Sequence, residues 1–354
     1  MMLPSIILHK KLLSKARPFA LSILNGTQLV GADVGAALGL EPHWCALNGV
    51  ANFYCFEPHP QSFEELQKLR LKSQYPDMYH ILPYGLSGKG GKRTLYISNV
   101  RTGSSLLPIL DEPKGYIDNS YFFPSKEVII DTRTLESVFD EVNEHTLDLI
   151  KLDIQGAELE VLKGLGKTRL DKLLLMEMEI NLHAPIRGHP DFNQVDKFMR
   201  KHGMELFNVQ VSHVHRVLDG DGNAYPEKIF SVYTKSPGLS ARAWECDVVY
   251  FRKPDVLIAK KDKTALQKLI VCYCVYNYFS EAHDMVTRAV TAGVFTDKEG
   301  DEIKKNILSW HRVLYYRFYH KPTALFNRMR WVLDRIGFGD RRWSQYHWTD
   351  YPNG

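Results

Sequence analysis

The sequence predicts a doubly wound α/β protein built on a mostly parallel sheet, and three observations carry that reading. From about Leu29 onward, short apolar runs alternate with helical stretches, the pattern left by successive βαβ units. One of these runs, LDLIKLDI, is apolar almost without a break, as a strand covered on both faces has to be. The first two runs end in a glycine turn and in an acid, the two places where an open α/β sheet receives a nucleotide-like ligand.

The first run, LVGADV, leads into the turn GAALG, and the second, NFYCF, is closed by Glu57 and Pro58. An amphipathic stretch from Pro60 to about Gln74 then predicts a helix with Phe63, Leu66, Leu69 and Leu71 near one face. A third run, MYHILPYGL, follows. Between Gly88 and Ile130 the helical period is lost, and two alternating stretches, RTLYIS and KEVIID, flank a loop rich in Gly, Ser, Pro and aromatics, the pattern of a lid-like insertion. LDLIKLDI ends at Asp153; the helix AELEVLKGL stops at Gly164 and Gly166, and KLLLMEMEI is the fifth run. Asp191 to His202 reads as a helix stopped by Gly203, after which ELFNVQVSHVHRVL is expected to pair with IFSVYT across the turn DGDGN. A parallel sheet finishing in an antiparallel hairpin is the arrangement of class I methyltransferases and is less usual among dehydrogenases. Beyond Ser236 one more strand, CDVVYFRK, precedes helical segments in which Ile303, Ile307, Trp310 and Leu314 share a face, as do Leu325, Met329, Val332 and Ile336. The expected organisation is an N-terminal basic, amphipathic segment (1–25), a cofactor-binding domain (26–236) and a mainly helical accessory region (237–354).

Bulk properties narrow the function classes. A chain of 354 residues, 44% hydrophobic and 24% charged, is long enough for a full sheet with helices on both faces and has the balance of a water-soluble globular protein. A net charge of +4 is too small to argue for a nucleic-acid partner. Five cysteines without a CxxC pair indicate neither a disulfide framework nor a zinc site, and fit a reducing, cytoplasmic setting. Basic residues in the middle of the first apolar stretch are in the wrong order for a secretory signal; that stretch reads as a helix packed on the core or, alternatively, lying on a membrane surface.

The cofactor site is read at the strand ends. Gly35 follows Asp33 at the end of the first strand, and Glu57 ends the second, near the roughly 20-residue spacing of a ribose-reading acid. A carboxylate accepts from two vicinal hydroxyls at once, so Glu57 is assigned to the ribose. The fingerprint GxGxxG is broken at Ala37, where a pyrophosphate needs close backbone approach. S-adenosylmethionine carries no phosphate and suits this turn, with Asp33 near its ammonium group.

With LDLIKLDI in view, the strings GADVGAALG, CFEPHP, YGLSGKGG, TGSSLL and DLIKLDIQGAELEVLKGL, in that order between Gly31 and His202, resemble the FkbM-type methyltransferases. The resemblance implies S-adenosylmethionine as cofactor and O-methylation of a hydroxyl acceptor, often a sugar, polysaccharide or polyketide. It also implies roles. Asp33, Gly35 and Gly39 match the first cofactor motif, Glu57 the ribose acid, Leu86 and Ser87 the turn beside the adenine, and Ser104 and Ser105 the paired serines of the insertion. Lys151, Asp153, Gln155, Gly156 and Glu158 match the strand-four motif. The sequence departs from the family at Ala37, usually asparagine, and at Leu135–Glu136, often Leu-Asp.

For the chemistry, Asp153 at the carboxyl end of strand four is expected to face cofactor and acceptor, with Lys151 on the same side holding its carboxylate ionised, which favours positioning over proton abstraction. His183, just past strand five, has the better intrinsic pKa for a base, and both remain candidates. Glu177 and Glu179 share a face of strand five, as acceptor-binding or acid/base carboxylates. His213 and His215 supply at most half a metal site, and DGDGN fails as a calcium loop at Ala224 and Phe230, so no metal is expected. Arg328, Arg330, Arg335, Arg341 and Arg342, interleaved with Trp331, Trp343, Tyr346 and Trp348, point to self-association or peripheral contact with an anionic membrane. The competing readings are a nicotinamide-dependent oxidoreductase on a similar sheet and a non-catalytic scaffold.

Overall fold

The computed structural model describes residues 16–37, 39–40, 43–98, 101–108, 124–182, 186–214 and 242–319. Residues 16–24 are helical (α1) and lead into β1 (Leu29–Val34); a 3-10 turn, Trp44–Leu47, precedes β2 (Ala51–Phe56). Then come α2 (Pro60–Leu71), β3 (Tyr79–Leu82), β4 (Gly85–Leu86), β5 (Gly91–Ser98) and β6 (Pro124–Arg133). The second half runs α3 (Leu135–Glu141), β7 (Leu149–Leu152), α4 (Glu158–Lys163), α5 (Lys167–Leu170), β8 (Leu175–Asn181), α6 (Phe192–Lys201), β9 (Met204–Val214) and β10 (Arg242–Arg252). Four helices close the described chain: α7 (Pro254–Ala259), α8 (Lys263–Val275), α9 (Phe279–Thr291) and α10 (Asp297–Tyr319).

Among the described residues, seven strands form the main sheet in the order β3-β2-β1-β7-β8-β10-β9. The pairs β2–β3, β1–β2, β1–β7 and β7–β8 are parallel, and β10 runs antiparallel to both β8 and β9. The strand order therefore reverses between β1 and β7, and the carboxyl ends of those two strands flank the crevice where such sheets bind ligands. A smaller sheet, β4-β6-β5, stands beside it. Its antiparallel pair β5–β6 is formed by RTLYIS and KEVIID, the flanks of the predicted insertion.

Every residue of β1 is buried, because apolar side chains leave both faces of the sheet into separate cores. Leu29, Phe53, Leu149 and Phe251 pack under α1, α8, α9 and α10, where Ile303, Ile307 and Trp310 are buried as their helical spacing predicted. Ala32, Ile150, Met176 and Val248 pack under α3, α4, α5 and α6. The helix ends are set locally: Pro60 opens α2, an Asp191–Gln194 capping box opens α6, and Asp262 caps α8 by accepting from Ala265 N–H at 3.0 Å.

The edge of the sheet and the outer face of α2 differ in detail from the sequence pattern. Among the described residues β9 pairs with β10; IFSVYT and the turn DGDGN, the expected hairpin partner, lie outside them. β10 lies between β8 and β9, so strand residues beyond Pro237 belong to the main sheet, and α7 to α10 follow Arg252. Arg252 marks that point: it is 3% exposed, and its guanidinium donates to the carbonyls of Leu173 at 2.8 Å and Leu170 at 2.6 Å, and to that of His202. On α2 only Leu66 is fully buried, with Phe63 packed beside it; Leu69 and Leu71 are exposed because the helix touches the sheet near its edge strand, β3. The tail from 320 onward, His215, residues 1–15 and, for side-chain detail, His213 and Leu314 also lie outside the described residues. Among those described, no helix is long and apolar enough to cross a membrane.

Candidate active site at the carboxyl rim of the sheet

The turn after β1 lies against the end of β7. Gly35 has φ +89°, and a Cβ there would sit 2.0 Å from the Asp153 carbonyl oxygen. Only glycine fits both the left-handed conformation and that approach. Gly35→Ala is expected to destabilise the chain by about 1–3 kcal/mol from the backbone conformation alone, and further by displacing the start of the Asp153 loop. Thermal unfolding with and without S-adenosylhomocysteine tests this; a wild-type melting point together with wild-type ligand stabilisation would refute it.

Three N–H groups of this turn are spent inside the protein. Those of Gly35 and Ala36 both donate to the Phe56 carbonyl, at 3.1 and 3.2 Å, and that of Gly39 donates to Ala36 at 2.8 Å. A pyrophosphate needs such donors aimed outward, whereas an adenosine bearing a sulfonium and an amino-acid tail does not. The turn therefore fits S-adenosylmethionine better than a dinucleotide. Glu57 stands at the end of β2, 5% exposed, its Oε1 accepting from His59 N–H at 2.8 Å. Asp33 is fully buried, in register between Cys55 and Lys151.

The sheet brings the strand-four residues together as the spacing predicted. Lys151 Nζ lies 3.2 Å from Asp153 Oδ2, and Gln155 Nε2 donates to Asp153 Oδ1 at 3.3 Å and to Glu179 Oε1 at 2.6 Å. Gln155 holds a left-handed φ of 55°, which turns the chain from β7 toward α4. Its carbonyl accepts from the Ser105 hydroxyl at 2.7 Å, and that same hydroxyl accepts from Leu107 N–H at 2.9 Å. Ser105 thus fastens the insertion to the Asp153 loop. Ser104 lies beside it, its hydroxyl 3.4 Å from Ser98 N. Leu86 and Ser87 are buried at the smaller sheet, where the Ser87 hydroxyl meets Thr132 at 2.8 Å and Gly90 N–H at 3.1 Å. His183 lies outside the described residues.

The register adds acids that the sequence reading did not single out. Asp247 faces Glu179 across β10–β8, Glu245 faces Asn181, and Val249 faces Glu177, so all these side chains share the face that carries Lys151 and Asp153. Their signal was present in the alternation WECDVV, but it had no meaning until the neighbouring strand was known. Burial, then the charges of Asp153, Glu245, Asp247 and Glu158, push Glu179 well above the usual carboxylate range. Burial and then Asp153 raise Glu245 to about 7 against a hydrogen bond from Ser212, and burial with Asp153, Glu177 and Glu245 raises Asp247 to about 7 despite Lys151. Among the described residues, no group of three or more His, Cys, Asp or Glu is arranged to hold a metal ion.

Glu177 is tied elsewhere. His43 Nε2 lies 3.1 Å from its Oε2, the Tyr276 hydroxyl donates to it at 2.5 Å, and Trp44 Nε1 donates to Tyr276 at 2.8 Å. Burial acts to raise the Glu177 pKa, but His43, Tyr276 and Lys151 together hold it below the usual range. The end of α8 is thereby locked to β8.

Glu158, at the start of α4, accepts from Ile154 N–H at 3.1 Å and Gly156 N–H at 2.9 Å. Burial raises it to about 7, against those N–H donors and with a further push from Asp153. The folded chain keeps this proton to about pH 7, whereas the unfolded chain releases it near 4.5. Its contribution is therefore full below about 4.5, falls as pH rises, and levels off above about 7. Glu158→Gln is expected to flatten that slope. Urea unfolding at about pH 5 and about pH 8 measures it, and parallel shifts in variant and wild type would refute the assignment.

A parallel sheet reversing between β1 and β7, an acid ending β2 and an antiparallel strand inserted next to the far edge define a class I methyltransferase fold. Residues 33–206 match the model of the methyltransferase FkbM domain, and the chain carries that domain. The methyl donor of this family is S-adenosylmethionine. The chain is 25% identical over 194 residues to the 2-O-methyltransferase NoeI of Sinorhizobium fredii, spanning 51% of this chain and 78% of that protein. It is 30% identical over 137 residues to the hexuronic acid methyltransferase AglP of Haloferax volcanii, covering 38% of this chain and 48% of the relative. Among solved structures it is similar to the methyltransferase FkbM of Methylobacillus flagellatus, with 15% identity, a TM-score of 0.34, and coverage of 64% of this chain and 43% of that one. The precorrin-6y C5,15-methyltransferase of Geobacter metallireducens shows 12% identity, a TM-score of 0.30 and coverage of 67% and 87%.

Proposed function

We propose that the chain transfers a methyl group from S-adenosylmethionine to a hydroxyl of a sugar in a glycan or glycolipid precursor. The observation that carries this is the Lys151–Asp153–Gln155–Glu179 network at the end of β7, beside the turn that Gly35 permits. Two named relatives support the acceptor class, one a 2-O-methyltransferase and the other a hexuronic acid methyltransferase. Glu57 binds the ribose hydroxyls, and Asp33 with Gly35 and Gly39 forms the floor under the amino-acid tail. Bound there, S-adenosylmethionine supplies a methyl group carried on a positively charged sulfur.

The protein's share is to hold one hydroxyl in place, exclude water and take up a proton. Asp153, fixed on both oxygens by Lys151 and Gln155, orients the acceptor hydroxyl. Glu179 shares the Gln155 amide and is the adjoining carboxylate for the proton. Ser105 holds the insertion over them and keeps water out.

The test is incubation of the purified chain with labelled S-adenosylmethionine and a cell-envelope glycan extract, followed by mass spectrometry. Label on a sugar oxygen is the expected result. Label confined to protein or RNA would overturn the acceptor class, and absence of S-adenosylhomocysteine binding would favour a scaffold.

A further inference from the structure

A second feature of the same rim speaks to the charge of the acceptor. Asn181 ends β8 and is 3% exposed, yet neither its Nδ2 nor its Oδ1 has a hydrogen-bond partner among the described residues. An amide buried with both ends unmet is costly unless something else meets it. Asn181 sits opposite Glu245 and two residues from Glu179, on the face of the sheet that carries Asp153, Glu179, Glu245 and Asp247. Among the described residues, Lys151 on this face is engaged by Asp153, and His43 by Glu177. Lys163, Lys197 and Lys201 line a different groove, of about 500 Å³, between α4 and α6.

We infer that this cleft receives an uncharged sugar residue, whose hydroxyls satisfy Asn181 and the surrounding carboxyls, and that it rejects a sugar bearing a carboxylate. The inference rests on the sugar O-methyltransferase reading and narrows its substrate class. A carboxyl group, protonated or not, and an amide together offer both acceptors and donors to vicinal hydroxyls. Asp153 already opposes ionisation of Glu179, Glu245 and Asp247, and it would likewise oppose a carboxylate brought in by the ligand, together with whichever of those neighbours is ionised. The acceptor of a relative named for hexuronic acid therefore does not carry over to this cleft.

The experiment uses the full chain, shown first by calorimetry to bind S-adenosylhomocysteine. Methyl transfer from labelled S-adenosylmethionine is then measured on a neutral oligosaccharide pool prepared from cell-envelope glycans and on the same pool after its primary hydroxyls are oxidised to carboxylates. Incorporation into the neutral pool at least about tenfold above the oxidised pool is expected, equivalent to about 1.4 kcal/mol of discrimination. In the double variant Glu245→Gln/Asp247→Asn the ratio is expected to fall toward one. Equal or greater labelling of the oxidised pool would overturn the inference while leaving sugar methylation standing. Label on neither pool, with cofactor bound, would remove both. A wild-type ratio in the double variant would show that the acids do not set the preference.

Discussion

Asp153→Ala is expected to lower the rate of methyl transfer by about 10²–10⁴-fold while leaving S-adenosylhomocysteine affinity within a few-fold of wild type. The split follows from position. Asp153 is held on both oxygens, by Lys151 at 3.2 Å and by Gln155 at 3.3 Å, which fixes one carboxylate orientation at the strand end. Losing it costs the alignment of the acceptor oxygen, to which transfer rates are steeply sensitive. Under the proposed ribose role, Glu57→Ala should show the opposite pattern, weakening S-adenosylhomocysteine by about 10–100-fold. Removing Asp153 has a second, independent readout, because its charge raises the pKa values of Glu179, Glu245 and Asp247. All three should titrate lower in the variant, in ¹³C-detected NMR of side-chain carboxyls. Turnover unchanged in Asp153→Ala, or lost only in step with cofactor affinity, would end the assignment of Asp153 to the reacting groups.

The largest stability effect is expected at Lys268→Met. Lys268 Nζ lies 2.8 Å from Asp148 Oδ2 with both side chains about nine-tenths buried, and the same carboxylate accepts from Val30 N–H at 2.8 Å. This ion pair joins α8 to the starts of β7 and β1. Breaking a buried pair from one side leaves a charge without compensation and costs about 3–5 kcal/mol. Burial already raises the Asp148 pKa in spite of Lys268, so the bared carboxyl is expected to take up a proton, which limits the loss to the lower part of that range near neutral pH. The double variant Asp148→Asn/Lys268→Met should recover much of the loss, since the remaining amide can still meet Val30. Thermal and urea unfolding measure all three proteins. Equal stability of wild type and Lys268→Met would mean that the pair does not hold α8 to the sheet.

The parts of the site that follow one another in the chain were readable before the structure. LVGADV, NFYCF and KLLLMEMEI emerged as β1, β2 and β8 because strands covered by helices have continuous apolar character. Glu57 and Asp153 stood at strand ends, where residue type and spacing carry meaning without knowledge of neighbours. Lys151 and Asp153 were predicted to share a side, and their two-residue separation brings them to 3.2 Å.

What could not be read was pairing across distance. CDVVYFRK looked like a strand, but nothing in its residues says that it enters between β8 and β9 rather than starting a new unit. That choice depends on which apolar face finds cover, and it moved Glu245 and Asp247 from an accessory region to the site's own rim. The link from α8 to Glu177 through Tyr276 was hidden for the same reason, since Trp44, Glu177 and Tyr276 are far apart in sequence.

The sequence by itself determined the βαβ order, the glycine turn, the acid ending the second strand and the carboxylate ending the fourth core strand, because backbone conformation and side-chain alternation are local properties of consecutive residues. The tertiary structure alone decided that Asp153 and the acids of β8 and β10 share a face with an unsatisfied Asn181, and that the C-terminal helices close one face of the sheet. Burial and mutual charge arise only when distant segments pack, and those two forces set the electrostatics of the cleft.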